Sequence, residues 1–138
     1  MKPYKPSSVG LAAVAAITAL GAATFPALAQ TKGLAMLDGL SKGEWIVRER
    51  GSDTVRRICV RTGRELIQLR HRQNGCNRFV VEDGASEVTV QYACSGNGYG
   101  RTSLRRETSG LVQIQSQGIA DSLPFELKAE ARRVGNCR

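Results

Sequence analysis

The chain holds a single histidine, His71, and four cysteines, Cys59, Cys76, Cys94 and Cys137. A serine or thiol nucleophile needs a nearby base to take its proton, and histidine is the usual choice. His71 lies between Arg70 and Arg72, and it reads as a solvated side chain near a helix end rather than as that base. A glycosidase-type pair of carboxylates would have to come from Glu82, Asp83, Glu87, Glu107, Glu126 and Glu130. No spacing singles out two of them, and they read as strand charges that discourage edge-to-edge aggregation. The loop Ser95-Gly96-Asn97-Gly98-Tyr99-Gly100 superficially resembles a phosphate cradle, yet no helix follows whose N-terminus would hold the anion. It reads as a flexible connection between strands. No catalytic residue is assigned, and no cofactor is expected.

The cysteines lie 17, 18 and 43 positions apart. Metal sites need close ligand pairs, as in Cys-x-x-Cys, and usually histidines as well. No metal is expected, and the even number of cysteines in an exported chain predicts two structural disulfides. Four cysteines allow three connectivities. Cys76 and Cys94 bracket a hairpin, which favours Cys76 with Cys94 and Cys59 with Cys137. The runner-up joins Cys59 to Cys76 and Cys94 to Cys137. Parity opposes the favoured set: a register with Phe79 and Val81 on the face of Val88, Val90 and Tyr92 points Cys76 and Cys94 to opposite faces. A bulge, or a Cys76 outside the strand, would remove that objection.

The other chemistry-bearing feature is a basic stretch. Arg56, Arg57, Arg61, Arg64, Arg70, Arg72 and Arg78 occur between Thr54 and Val81 with Glu65 as the only acid in that span. Such a stretch could meet an anionic surface through electrostatic, salt-sensitive contacts. A solvated face with some guanidinium stacking and pairing to Glu65 is the plainer reading. Trp45 reads as a core anchor rather than a ligand platform.

Several elements must position these residues, and the first decides the compartment. Met1–Ser8 carries Lys2 and Lys5 without an acid, Val9 to about Thr24 is apolar, and Ala27-Leu28-Ala29 forms a small-x-small site. That layout is a signal peptide over residues 1–29, cleaved between Ala29 and Gln30. The apolar run is too short for a comfortable membrane span, so no retained transmembrane segment is expected. The 20 basic and 12 acidic residues give a formal +8, which becomes +6 without Lys2 and Lys5. Nucleic acid is not an expected partner after export. The mature part, residues 30–138, reads as one domain.

Gln30–Lys42 places Leu34, Leu37 and Leu40 at spacings of three, giving a short helical turn or an ordered arm. Strands follow at Glu44–Arg50 and Thr54–Val60 around the turn Gly51-Ser52-Asp53. Thr62-Gly63-Arg64-Glu65 fits a capping box, Leu66, Ile67 and Leu69 give an apolar side, and Asn74-Gly75 ends a short helix. Alternation then predicts strands at Asn77–Glu82, Glu87–Cys94, Arg101–Thr108, Leu111–Gln117 and Phe125 to about Val134. Gly118–Pro124 reads as a turn region. The fold class is mainly β: one small antiparallel meander sheet or open barrel of about seven strands, with one short helix and two disulfides.

Gly43-Glu44-Trp45, the four spaced cysteines with Tyr92-Ala93-Cys94, and the ending Arg132-Arg133-Val134-Gly135-Asn136-Cys137 resemble a family of small secreted proteobacterial proteins. That family is known only as a domain of unknown function, numbered 3617. The resemblance covers roughly Gly39 to Cys137. It implies a periplasmic, β-rich, cysteine-containing domain and no particular activity. Where the family often carries a longer methionine- and glycine-rich stretch between its first strands, this chain has only Gly51-Ser52-Asp53.

The leading expectation is a periplasmic, non-enzymatic binding or envelope-associated module whose partner is an acidic envelope component or a periplasmic protein. An inhibitor of one protein partner, gripping it with a protruding Gly96–Gly100 loop, is the alternative. A small hydrolase-like enzyme is third.

Overall fold

Apolar and polar side chains alternate from Gly43 onward, and this period-two pattern folds as antiparallel sheet. The computed structural model describes residues 33–138. The leader, its cleavage site and Gln30 lie outside the described residues. Seven strands form among them: β1 Gly43–Glu49, β2 Val55–Val60, β3 Asn77–Asp83, β4 Glu87–Cys94, β5 Gly98–Thr108, β6 Leu111–Ala120 and β7 Leu123–Gly135. All pair antiparallel in one open sheet ordered β2-β1-β7-β6-β5-β4-β3. β3 to β7 are a plain meander. The departure is at β7, which turns back to pair with β1 and so leaves β2 and β3 as the two edges.

One face of the sheet holds the core. Trp45 and Val47, Val88, Val90 and Tyr92, Leu104, Val112 and Ile114, and Leu127, Ala129 and Ala131 are all buried there. The cover comes from two pieces of chain. The single helical turn α1, Ala35–Asp38, is flanked by Leu34 and Leu40 and buries Met36 and Leu37. The connection from β2 to β3 carries the chain from one edge to the other and buries Leu66, Ile67 and Leu69. Trp45 is the expected core anchor; its indole Nε1 donates to the Ser41 carbonyl at 3.0 Å.

The short helix expected after Thr62 is reduced to a 3-10 turn, Arg64–Leu66. Half of the expected capping box forms: the Glu65 carboxylate accepts from the Thr62 amide at 3.2 Å, but the Thr62 hydroxyl accepts from the Arg64 amide rather than that of Glu65, and Gly63 is the N-cap. What fails is periodicity: Leu66, Ile67, Gln68 and Leu69 are all buried, and four consecutive buried residues cannot share one face of a regular helix. Gly63, at φ +80°, enables the tight entry; a β-carbon there would strike the Leu37 backbone.

The disulfides are Cys59–Cys137 and Cys76–Cys94. Asn77 pairs with Ala93, which makes Cys76 and Cys94 direct cross-strand neighbours, 4.3 Å apart at Cα. The parity objection rested on Phe79 and Val81 facing the core, and the structure overturns that premise. Phe79 lies opposite Gln91 on the outer face, and the register slips between Val80 and Glu82. Phe79 and Val81 are exposed at 66% and 48%. Among the described residues no helix is long and apolar enough to cross a membrane.

Two connections are tighter than the sequence implied. Cys94 pairs with Gly98, so the glycine-rich segment is a three-residue turn running straight into β5, neither flexible connection nor protruding loop. Ala120 pairs with Leu123, leaving only Asp121 and Ser122, both at positive φ. Paired positive φ values match the twist of flanking strands, and β6 and β7 therefore run through the expected turn region.

Candidate functional site

The two sheet edges and the connection between them line one cleft of about 560 Å³. β2 contributes Arg56, Arg57 and Ile58, the connection contributes Arg64, Glu65, Gln68 and Arg72 among others, and β3 contributes Arg78. Five of the seven arginines of the basic stretch therefore meet here. Arg61 and Arg70 do not. Arg61 is exposed at the end of β2, and Arg70 places its guanidinium carbon 5.9 Å from the Phe125 ring centroid, a cation–π distance.

The five differ in how far their charge is answered. Arg56 is half-buried, contacts Glu49 at 2.6 Å and donates to the Leu69 carbonyl at 2.6 Å. Arg57 pairs with Glu44 and Arg64 with Asp38, each at 2.8 Å. Arg78 donates through Nε to the neutral Gln68 amide oxygen at 2.5 Å. Arg72 is exposed and, among the described residues, has no ion-pair partner. Glu65 gives its carboxylate to the backbone amides of Arg61 and Thr62 rather than to a guanidinium. The unanswered positive charge of the cleft thus sits on Arg72 and Arg78.

Beneath the cleft lies a hydrogen-bonded polar cluster that composition did not reveal. His71 is fully buried, which corrects its expected place in solvent. Its Nε2 lies 2.8 Å from the Asn97 carbonyl and 3.0 Å from the Ile119 carbonyl. Carbonyls only accept, so Nε2 carries the ring proton. In the neutral ring Nδ1 then accepts from the Tyr92 hydroxyl at 2.9 Å. Beside it, Thr102 donates to the Ile67 carbonyl at 2.7 Å, leaving Ser116 to donate to Thr102, also at 2.7 Å. Burial pushes the Tyr92 hydroxyl above its ordinary value.

These bonds pin the connection to β4, β5 and β6, and the Cys76–Cys94 bridge fixes its far end. The cleft floor is therefore held by covalent and buried polar contacts, as a preorganised binding site requires. The signal that could have placed His71 inside is the near-continuous run Leu66-Ile67-Gln68-Leu69 just before it, which has no solvent stripe. Gln68 and the acids Glu44, Glu49 and Asp38 carried no such mark, because their partners lie 7 to 26 positions away, and the strand register and the path of the connection decide which arginine each one meets.

Catalytic geometry does not assemble around these groups. The buried imidazole contacts a phenol and two carbonyls rather than a nucleophile, and no three metal-ligating side chains cluster among the described residues. Compared with protein-family models, with curated proteins and with solved structures, the chain matches none.

Proposed function

We propose that the protein is an exported, non-enzymatic binding module that takes an anionic group of an envelope component into the cleft between β2 and β3. The observation that carries this reading is the pair Arg72 and Arg78, two guanidinium groups in one cleft with no carboxylate against them among the described residues. Guanidinium forks suit phosphate and carboxylate oxygens, and the walls hold no competing acid apart from Glu65. Export is supported by the leader layout of residues 1–29 and by the two disulfides, which suit an oxidising compartment. The resemblance to small periplasmic proteins points the same way.

Vesicle co-sedimentation tests the binding. Binding to phosphatidylglycerol vesicles is expected at low salt, absent with phosphatidylcholine, and weakened about tenfold or more by Arg72→Ala combined with Arg78→Gln. Competition by inorganic phosphate would show that the headgroup phosphate alone is recognised. Absence of binding at low salt, or indifference to the two substitutions, sinks the reading. For export, N-terminal sequencing of periplasmic protein is expected to begin at Gln30.

A further inference from the structure

The two edges of the sheet are not equally protected. Arg56 reaches across the β2 edge to the Leu69 carbonyl, so the connection covers part of that strand. β3 has six of its seven residues exposed. Phe79, Val80 and Val81 are 66%, 41% and 48% exposed, and the strand contains neither proline nor lysine. The bulge and the charges Arg78, Glu82 and Asp83 guard this edge against indiscriminate pairing, so a partner strand must match those charges, while three consecutive exposed apolar residues remain to be covered.

The occupant is indicated by charge and register. β3 reads Asn-Arg-Phe-Val-Val-Glu-Asp, basic near one end and acidic at the other, and is self-complementary when run antiparallel. The bulge at Val81 decides which charges share a face. Arg78 lies opposite Tyr92 and Asp83 opposite Val88, and both partners are buried in the core, so Arg78 and Asp83 emerge on one face. Phe79 and Glu82, opposite Gln91 and Thr89, emerge on the other. A twofold axis between Val80 and Val81 therefore sets Arg78 beside Asp83 of a second copy, twice, and Phe79 against the methylenes of the second copy's Glu82. In the dimer the Asp83 carboxylate answers Arg78, so an anion in the cleft is left to Arg72 and competes with dimerisation for Arg78. An isologous contact needs such self-matching.

We infer that β3 pairs antiparallel with β3 of a second copy of this chain, joining the two sheets edge to edge. The ladder forms on either side of the facing bulges, and the apolar triplets of the two copies cover each other. Seven-residue strands bury an area at the low end for specific interfaces, below about 1,200 Å², so the dimer belongs at micromolar concentrations.

Sedimentation equilibrium of the disulfide-bonded protein over a concentration series tests this, with circular dichroism confirming the fold of every variant. A reversible monomer–dimer equilibrium is expected. Arg78→Asp and Asp83→Arg, each alone, oppose like charges twice and are expected to weaken it about tenfold. Mixing the two variants restores both pairs and is expected to return dimerisation to the original strength, as is the double variant. A monomer at all concentrations overturns the inference. So does a dimer indifferent to either reversal, or two folded variants that fail to rescue each other. Should a reversal not fold, Val81→Lys at the half-exposed bulge replaces it, and a dimer surviving that change is equally fatal.

Discussion

Glu65 is the one acid lining the cleft, and its role is to hold backbone. Partial burial works to raise its pKa, but the amides of Glu65, Arg61 and Thr62 and the Thr62 hydroxyl outweigh it, and the carboxyl lies below its ordinary value. For a depressed carboxyl, the stability gained is full above the unfolded-state pKa and is lost as pH falls through the folded-state one. Glu65→Gln is therefore expected to flatten part of the acid limb of melting temperature against pH, below about pH 4.5. Identical acid limbs would count against this account. His71 makes the complementary case. His71→Ala leaves the buried Tyr92 hydroxyl and two partly buried carbonyls short of a partner and opens a cavity, at a cost of about 3 kcal/mol, readable as a fall in the urea midpoint. A small midpoint shift would mean that the cluster is not a keystone of the core. Gly100 belongs to the same cluster, because a β-carbon there would land on the Tyr92 hydroxyl.

At the scale of elements, the two disulfides stabilise different things. Cys59–Cys137 spans a sequence separation of 78 and ties edge strand β2 to the tail after β7. Cys76–Cys94 spans 18 and fixes the end of the cleft connection to β4. On the chain-entropy model their removal costs about 4.5 and about 3 kcal/mol respectively. Hydrogen exchange separates them further. Loss of Cys76–Cys94 is expected to raise exchange between Arg61 and Cys76, whereas loss of Cys59–Cys137 is expected to leave that connection protected. Equal exchange in the two variants would show that the buried polar contacts alone hold the connection.

For the whole molecule, the basic composition overstates the field at the cleft. Glu44, Glu49 and Asp38 oppose three of its five arginines, so attraction is concentrated at Arg72 and Arg78 rather than spread along the stretch. Asp38→Asn releases Arg64 from the carboxylate that pairs with it and is expected to tighten binding of acidic vesicles about twofold to threefold at low salt. Unchanged or weaker binding would place the anion away from the α1 side of the cleft. Dimerisation through β3 would extend the sheet and hide its exposed apolar edge.

The sequence by itself determined the local, repetitive features. Alternation placed β1, β4, β6 and β7 with their inward residues, because a half-buried strand reports its face at every second position. Bracketing of a hairpin favoured Cys76 with Cys94 but left a second connectivity open until the strand register settled it, and the aromatic bulk of Trp45 put it in the core. Long-range contacts decided the rest. The return of β7 to β1, the bulge that turns Phe79 outward, the burial of His71 and the shrinking of a helix to Arg64–Leu66 all depend on which surfaces meet after folding. No local spacing encodes that. The same holds for the cleft: seven arginines are legible in the text, but their division into answered and unanswered charges was settled only when Glu44, Glu49, Asp38 and Gln68 arrived beside them.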